Sequence, residues 1–228
     1  MKVYFIPGLG ADRRVFRHMQ LPEGFDMVHI DWLTPLEQES LKDYASRLTR
    51  AIDSSQPFIL VGLSFGGMLA TEICRILRPE KTILIASLPS ASQLPPYFKW
   101  ARPLGLQKIL PIGLFKNASL AKRLFTTESA EDKDLLRMII RETDPGFIRW
   151  ALGAILSWEN SPPPEGIYHI HGTRDNLLPI RYVKPTHILP GGGHLMVMNR
   201  AAEVNKLLAE ILTGKLSTVH PLSLHLPS

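Results

Sequence analysis

Gly62-Leu63-Ser64-Phe65-Gly66 is the stretch of this chain whose residue types and spacing could do chemistry. A serine hydroxyl is a poor nucleophile near neutral pH. It needs a base within hydrogen-bond reach and a third group to orient that base. It must also stand clear of the backbone, so that a carbonyl carbon can approach. A sharp turn from strand to helix achieves this at the cost of unusual backbone angles and close packing, which is why glycines are needed two residues either side. Gly67 adds a small residue where the helix must pass close to the sheet. The bland alternative is a glycine-rich turn with an incidental serine. An apolar run directly before Ser64 and helical spacing directly after it favour the chemical reading.

The base should lie on a loop after a later strand. His194 follows an apolar run over 185–189 and sits on Pro190-Gly191-Gly192-Gly193, just before a long helical pattern. His169 and His187 fall within strands, and His18 and His29 precede the serine. His171 ends its strand and competes, but in His171-Gly172-Thr173-Arg174-Asp175 a structural hydrogen bond is the better reading. The orienting carboxylate should come from the preceding loop, which supplies Asp175. Glu159 is the rival, at the end of a helical segment; Asp31 and Asp144 are further out of order.

These residues need elements to carry them. Apolar, β-rich runs at 3–6, 25–30, 58–63, 82–86, 166–171 and 185–189 predict strands. Helical spacing predicts helices at 40–54, with Ser40 as N-cap and Asp43 supporting the start, at 65–77 and at 195–212. Near-continuous apolar strands alternating with helices imply an α/β fold, with a mostly parallel central sheet covered on both faces. The rhythm breaks after Ser87. From 89 to 164 there is no strand pattern, only helical pieces at 97–100, 106–110, 120–125, 130–141 and 147–158 separated by prolines, with Ser129 as an N-cap and Asp144-Pro145-Gly146 as a turn. The expected organisation is a core over 1–88 and 165–213, a helical cap over 89–164, and a loose tail over 214–228.

The order Ser64, Asp175, His194, together with the glycine-flanked serine between strand and helix, resembles the α/β-hydrolase family from about residue 3 to 212. The resemblance implies a hydrolase with these three as its catalytic residues. It also implies that backbone N–H groups stabilise the developing oxyanion, one from Phe65 and one from Leu9 in Pro7-Gly8-Leu9-Gly10. Family members often carry His-Gly-x-Gly there; proline in place of histidine leaves the backbone donors untouched. The family's leading strands are missing from this chain, so the sheet should be smaller.

Composition narrows the remaining classes. The 228 residues, 45% hydrophobic, suffice for one globular domain with an inserted lobe. The net charge of +5 comes without a basic run or stripe, which argues against nucleic acid. Cys74 is the single cysteine, so no internal disulfide forms, and its helical context makes it a small packing residue. No signal-peptide pattern and no apolar stretch of spanning length occurs, so a cytoplasmic protein is expected. Gly8-Leu9-Gly10 fails as a dinucleotide loop because Arg13 holds the third glycine position. His169 and His171 share a strand face, but further ligands at metal spacing are missing, so neither metal nor cofactor is expected.

The expected activity is hydrolysis of a small acyl compound, a carboxylic ester. Tyr97, Phe98, Trp100, Phe115, Phe125, Trp150 and Trp158 are the aromatic residues of the insertion that could line an acyl pocket, but more of them are expected to pack the insertion on itself, and the sequence does not sort the two groups. Acyl transfer, thioester hydrolysis or carbon–carbon cleavage would use the same residues. A ligand-binding protein that has kept the fold and lost turnover is the non-enzymatic rival.

Overall fold

The computed structural model describes residues 1–101, 129–159 and 162–214. Among the described residues six strands form one sheet: β1 (Lys2–Ile6), β2 (Asp26–His29), β3 (Phe58–Leu63), β4 (Lys81–Ile85), β5 (Ile167–Gly172) and β6 (His187–Leu189). Their order is β2-β1-β3-β4-β5-β6 and every pairing is parallel. The expected mostly parallel sheet is therefore wholly parallel.

Successive side chains on a strand point to opposite faces, and β1 shows what that requires. Tyr4 and Ile6 enter one core with Leu60 of β3 and Leu84 of β4; Val3 and Phe5 enter the other with Ile59, Val61 and Ile83. The first core is closed by α1 (Leu41–Leu48) through Tyr44 and Leu48, and by α2 (Phe65–Ile76) through Leu69 and Ile73. The second is closed by a 3-10 turn, Arg13–Phe16, and by α7 (Ala201–Thr213) through Val204 and Leu208. Each fully buried aliphatic or aromatic side chain contributes roughly 1.5–3 kcal/mol, so strands buried on both faces read as unbroken apolar runs.

Between β4 and β5 lie α3 (Pro96–Ala101), α4 (Ala130–Glu142) and α5 (Pro145–Leu156). The expected pieces at 106–110 and 120–125, and the tail from 215 onward, lie outside the described residues. Ser40 and Ser129 do cap their helices, accepting from the backbone N–H of Asp43 and Asp132 at 3.1 and 3.0 Å. Asp144-Pro145-Gly146 is not a free-standing turn: Asp144 caps α5 by accepting from Phe147 N at 2.7 Å, and Pro145 starts the helix, where its missing N–H costs nothing.

Two other expected helices are shorter or divided. The 40–54 helix ends at Leu48 and tightens into a 3-10 turn at Thr49–Ala51. The 195–212 helix divides into α6 (Met196–Asn199) and α7, because Arg200 leaves helical geometry (φ −132°, ψ 33°). Its guanidinium holds Glu203 Oε1 at 2.7 Å and Pro190 O at 3.3 Å, tying the glycine loop to α7. Among the described residues no helix is long and apolar enough to cross a membrane.

Candidate active site

The register fixes which strand ends meet. Ile6 lies opposite Gly62, Leu63 opposite Ile85, Ile85 opposite Ile170, and Gly172 opposite Leu189. The carboxyl ends of β1, β3, β5 and β6 thus open into one crevice, the usual ligand position in an open parallel sheet.

Ser64 stands between β3 and α2 with φ 51° and ψ −118°, a conformation that costs an L-residue free energy. Packing holds it there. Ser64 N donates to Ile85 O at 2.9 Å, and Ser87 Oγ donates to Ser64 O at 2.6 Å. A Cβ on Gly66 would run into the backbone carbonyls of Ile6 and Pro7, and one on Gly67 into the Ser87 side chain. The need for small residues was legible in the sequence; the Ser87 brace was not, and its only signal is its place directly after an expected strand.

Two loops carry the base and the acid, and they are stitched together. Arg174 N donates to Gly192 O at 2.9 Å, and Gly191 N donates to Thr173 Oγ1 at 2.8 Å. Gly172 packs so closely on the Gly192 backbone that a Cβ would not fit. As a result His194 Nδ1 lies 2.8 Å from Asp175 Oδ2, and His194 Nε2 lies 2.9 Å from Ser64 Oγ. Asp175 and His194 are buried, while Ser64 is partly open. The second oxygen of Asp175 accepts from the backbone N–H of Leu177 and Leu178 at 2.9 and 2.8 Å. Burial alone would push the Asp175 carboxyl up. The adjacent His194 imidazole, with these hydrogen bonds, outweighs burial and holds it below its ordinary value, so it stays an anion.

Two of the rivals have other partners. Asp144 is committed to the α5 cap. His171 Nε2 donates to Leu178 O at 2.7 Å, a structural hydrogen bond of the kind its turn suggested.

Leu9 and Phe65 flank Ser64 from two directions. Among the described residues neither backbone N–H donates a hydrogen bond, and both residues line the cavity above the serine. Gly8 approaches so closely that a Cβ there would sit 3.3 Å from Ser64 Cβ. The cavity wall continues through Met68 of α2, Phe98 of α3, and Ile148, Leu152 and Ile155 of α5. The wall is thus mostly aliphatic. Of the described candidates only Phe98 reaches the cavity. Trp150 packs on Tyr44 with ring centroids 4.3 Å apart and donates to Glu39 O at 2.8 Å; Trp158 Nε1 donates to the buried Glu72 Oε1 at 2.9 Å; Tyr97 donates to Leu177 O. Phe115, Phe125 and the Trp100 side chain lie outside the described residues. Among the described residues no group of three or more His, Cys, Asp or Glu side chains could hold a metal ion.

A serine on a strained turn after a parallel strand, facing a histidine and an aspartate on later strand ends, defines a class of protein. A model of the alpha/beta hydrolase family matches residues 3–207, and the chain belongs to that family. No curated protein matches it in sequence. Among solved structures it is similar to a thermophilic esterase from Thermogutta terrifontis, with TM-score 0.72, 18% identity, and 94% of this chain and 90% of that one covered. It is likewise similar to the enol-lactonase from Burkholderia xenovorans LB400, with TM-score 0.73, 16% identity and coverage of 93% and 91%. The bromoperoxidase from Bacillus anthracis gives TM-score 0.70, 18% identity and coverage of 93% and 91%. At such identities the likeness is one of fold. Membership of the family supports a hydrolase.

Proposed function

We propose that the protein is a serine hydrolase that cleaves a small, uncharged acyl compound, a carboxylic ester, through an acyl-enzyme. The observation that carries this is the line Ser64 Oγ, His194 Nε2, His194 Nδ1, Asp175 Oδ2, with hydrogen-bond distances at both ends. Ser64 Oγ bonds to the ester carbonyl carbon as its proton passes to His194 Nε2. Asp175 keeps the imidazole in the tautomer that presents Nε2 to the serine and stabilises the imidazolium. The carbonyl oxygen, now an anion, accepts from the backbone N–H groups of Leu9 and Phe65. The carbon–oxygen bond to the leaving alcohol breaks as His194 returns its proton. Water, deprotonated by His194, then frees Ser64 and the acid.

The substrate class follows from the cavity wall, which carries no charged side chain among the described residues and is aliphatic above Ser64. An uncharged, apolar acyl group fits there; a carboxylate or ammonium would lose its hydration without a partner. The helical insertion at 89–164 acts as a cap over this crevice, and the single cysteine fits a reducing, cytoplasmic location. The test is turnover of a p-nitrophenyl ester series from acetate to decanoate. Turnover by wild type, abolished in Ser64→Ala, is the expected result. If wild type turns over no ester while it cleaves thioesters or carbon–carbon bonds, the ester assignment fails and the nucleophile assignment stands.

A further inference from the structure

Behind Asp175 lie two buried imidazoles that the proposed chemistry does not use. His169 and His171 are two apart on β5 and share a face, with ring centroids 5.0 Å apart. His171 Nε2 lies 2.7 Å from Leu178 O, and His171 Nδ1 lies 3.0 Å from His169 Nε2. A carbonyl only accepts, so Nε2 of His171 carries the proton. In a neutral ring this leaves Nδ1 as an acceptor, which in turn places a proton on His169 Nε2. Burial holds both rings below their ordinary pKa, His169 at about 3, which favours the neutral forms.

The residue that His171 grips also holds the acid. Leu178 accepts from His171 through its carbonyl and donates its own N–H to Asp175 Oδ1 at 2.8 Å. His171 thereby closes the turn from β5 to Leu178, and Asp175 sits inside that turn. The other carboxylate oxygen, Oδ2, is 2.8 Å from His194 and 3.6 Å from His171 Nε2. A neutral His171 spends its one proton on Leu178 O and leaves Oδ2 to His194. A cationic ring there would compete for the same oxygen.

We propose that His171, held in its Nε2–H tautomer by the Leu178 carbonyl and supported at Nδ1 by His169, is a positioning residue that aims Asp175 at His194 through the Leu178 peptide. The inference rests on the serine-hydrolase reading above. It goes beyond a brace for the loop, because a brace would affect stability alone, whereas an aiming residue must affect proton transfer.

Three measurements test it. Side-chain ¹⁵N–¹H spectra of the unreacted wild type should show Nε2–H on both His169 and His171; an Nδ1–H tautomer at His171 overturns the proposal whatever the substrate. The rate of reaction with a fluorophosphonate, and kcat for p-nitrophenyl acetate, should fall about 10- to 100-fold in His171→Phe with KM within about twofold, the size expected of a misaimed catalytic group. His171→Gln, whose amide can still donate to Leu178 O, should recover most of that loss. Wild-type rates in folded His171→Phe overturn the proposal. If that variant does not fold, His169→Leu decides: a kcat loss at constant KM supports the relay and no loss overturns it. Wild-type protein that ignores the fluorophosphonate contradicts the hydrolase reading instead.

Discussion

His194 Nδ1 and Asp175 Oδ2 lie 2.8 Å apart with both side chains out of solvent. Asp175 is held as an anion there although burial opposes it, which leaves the imidazole one way to orient. Asp175→Asn should keep the geometry, invert the favoured tautomer and lower kcat about 10⁴-fold with little change in KM. A loss confined to KM, measured on any turned-over ester, would contradict the orienting role.

The glycines of the Ser64 turn are there for space. Gly66→Ala would press a methyl against the carbonyls of Ile6 and Pro7, at the strand end that leads into the Gly8-Leu9-Gly10 loop. Backbone cannot yield as a flexible side chain can, so the variant should lose about 1–3 kcal/mol of stability and most of its activity, because the clash would displace the strand end that carries Leu9 relative to Ser64. Denaturant melts and esterase assays on the same sample check both.

Acid should unfold this protein in a predictable window. His169 is held at about 3 by burial and by the neighbouring His171, against an ordinary 6.5. Between those values the unfolded chain binds a proton that the native state does not, so stability falls as pH drops from 6.5 towards 3. The slope is at most about 1.4 kcal/mol per pH unit for each such group. Asp175, held below its ordinary 3.8, adds stability that is fully present above that value and is lost on further acidification. His169→Leu should therefore show a flatter fall in melting temperature between pH 6.5 and 4 than wild type. Parallel curves would contradict the assignment of that slope to His169.

How much of this was legible in the sequence depended on the range of the signal. Ser64, Asp175 and His194 each follow an apolar strand run, so their place at strand ends could be read locally, as could the alternation that makes the sheet parallel. The division at Arg200 could not, because Met196, Val197 and Met198 continue the apolar pattern into α7 and the break depends on a contact with Pro190. Which aromatic residues line the cavity could not be read for a related reason. Periodicity shows that one face of α5 is apolar, but Trp150 and Trp158 turned out to meet Tyr44 and Glu72, leaving Ile148, Leu152 and Ile155 to face the serine.

That aliphatic stripe should set acyl-chain selectivity. Leu152→Trp fills the cavity from the α5 side and should reduce kcat/KM for octanoyl esters at least 10-fold relative to acetyl esters, a difference of about 1.4 kcal/mol. Both rates can be compared in one p-nitrophenyl ester series; equal losses on both would place the acyl group elsewhere.

The proposed reaction requires Ser64 Oγ to be a nucleophile activated by His194 and Asp175. Labelling with a fluorophosphonate, followed by peptide mass spectrometry, tests it most directly. One adduct per chain is expected, on Ser64, absent in Ser64→Ala and slowed by orders of magnitude in His194→Ala. No adduct on wild type, or an adduct that persists in Ser64→Ala, would contradict it.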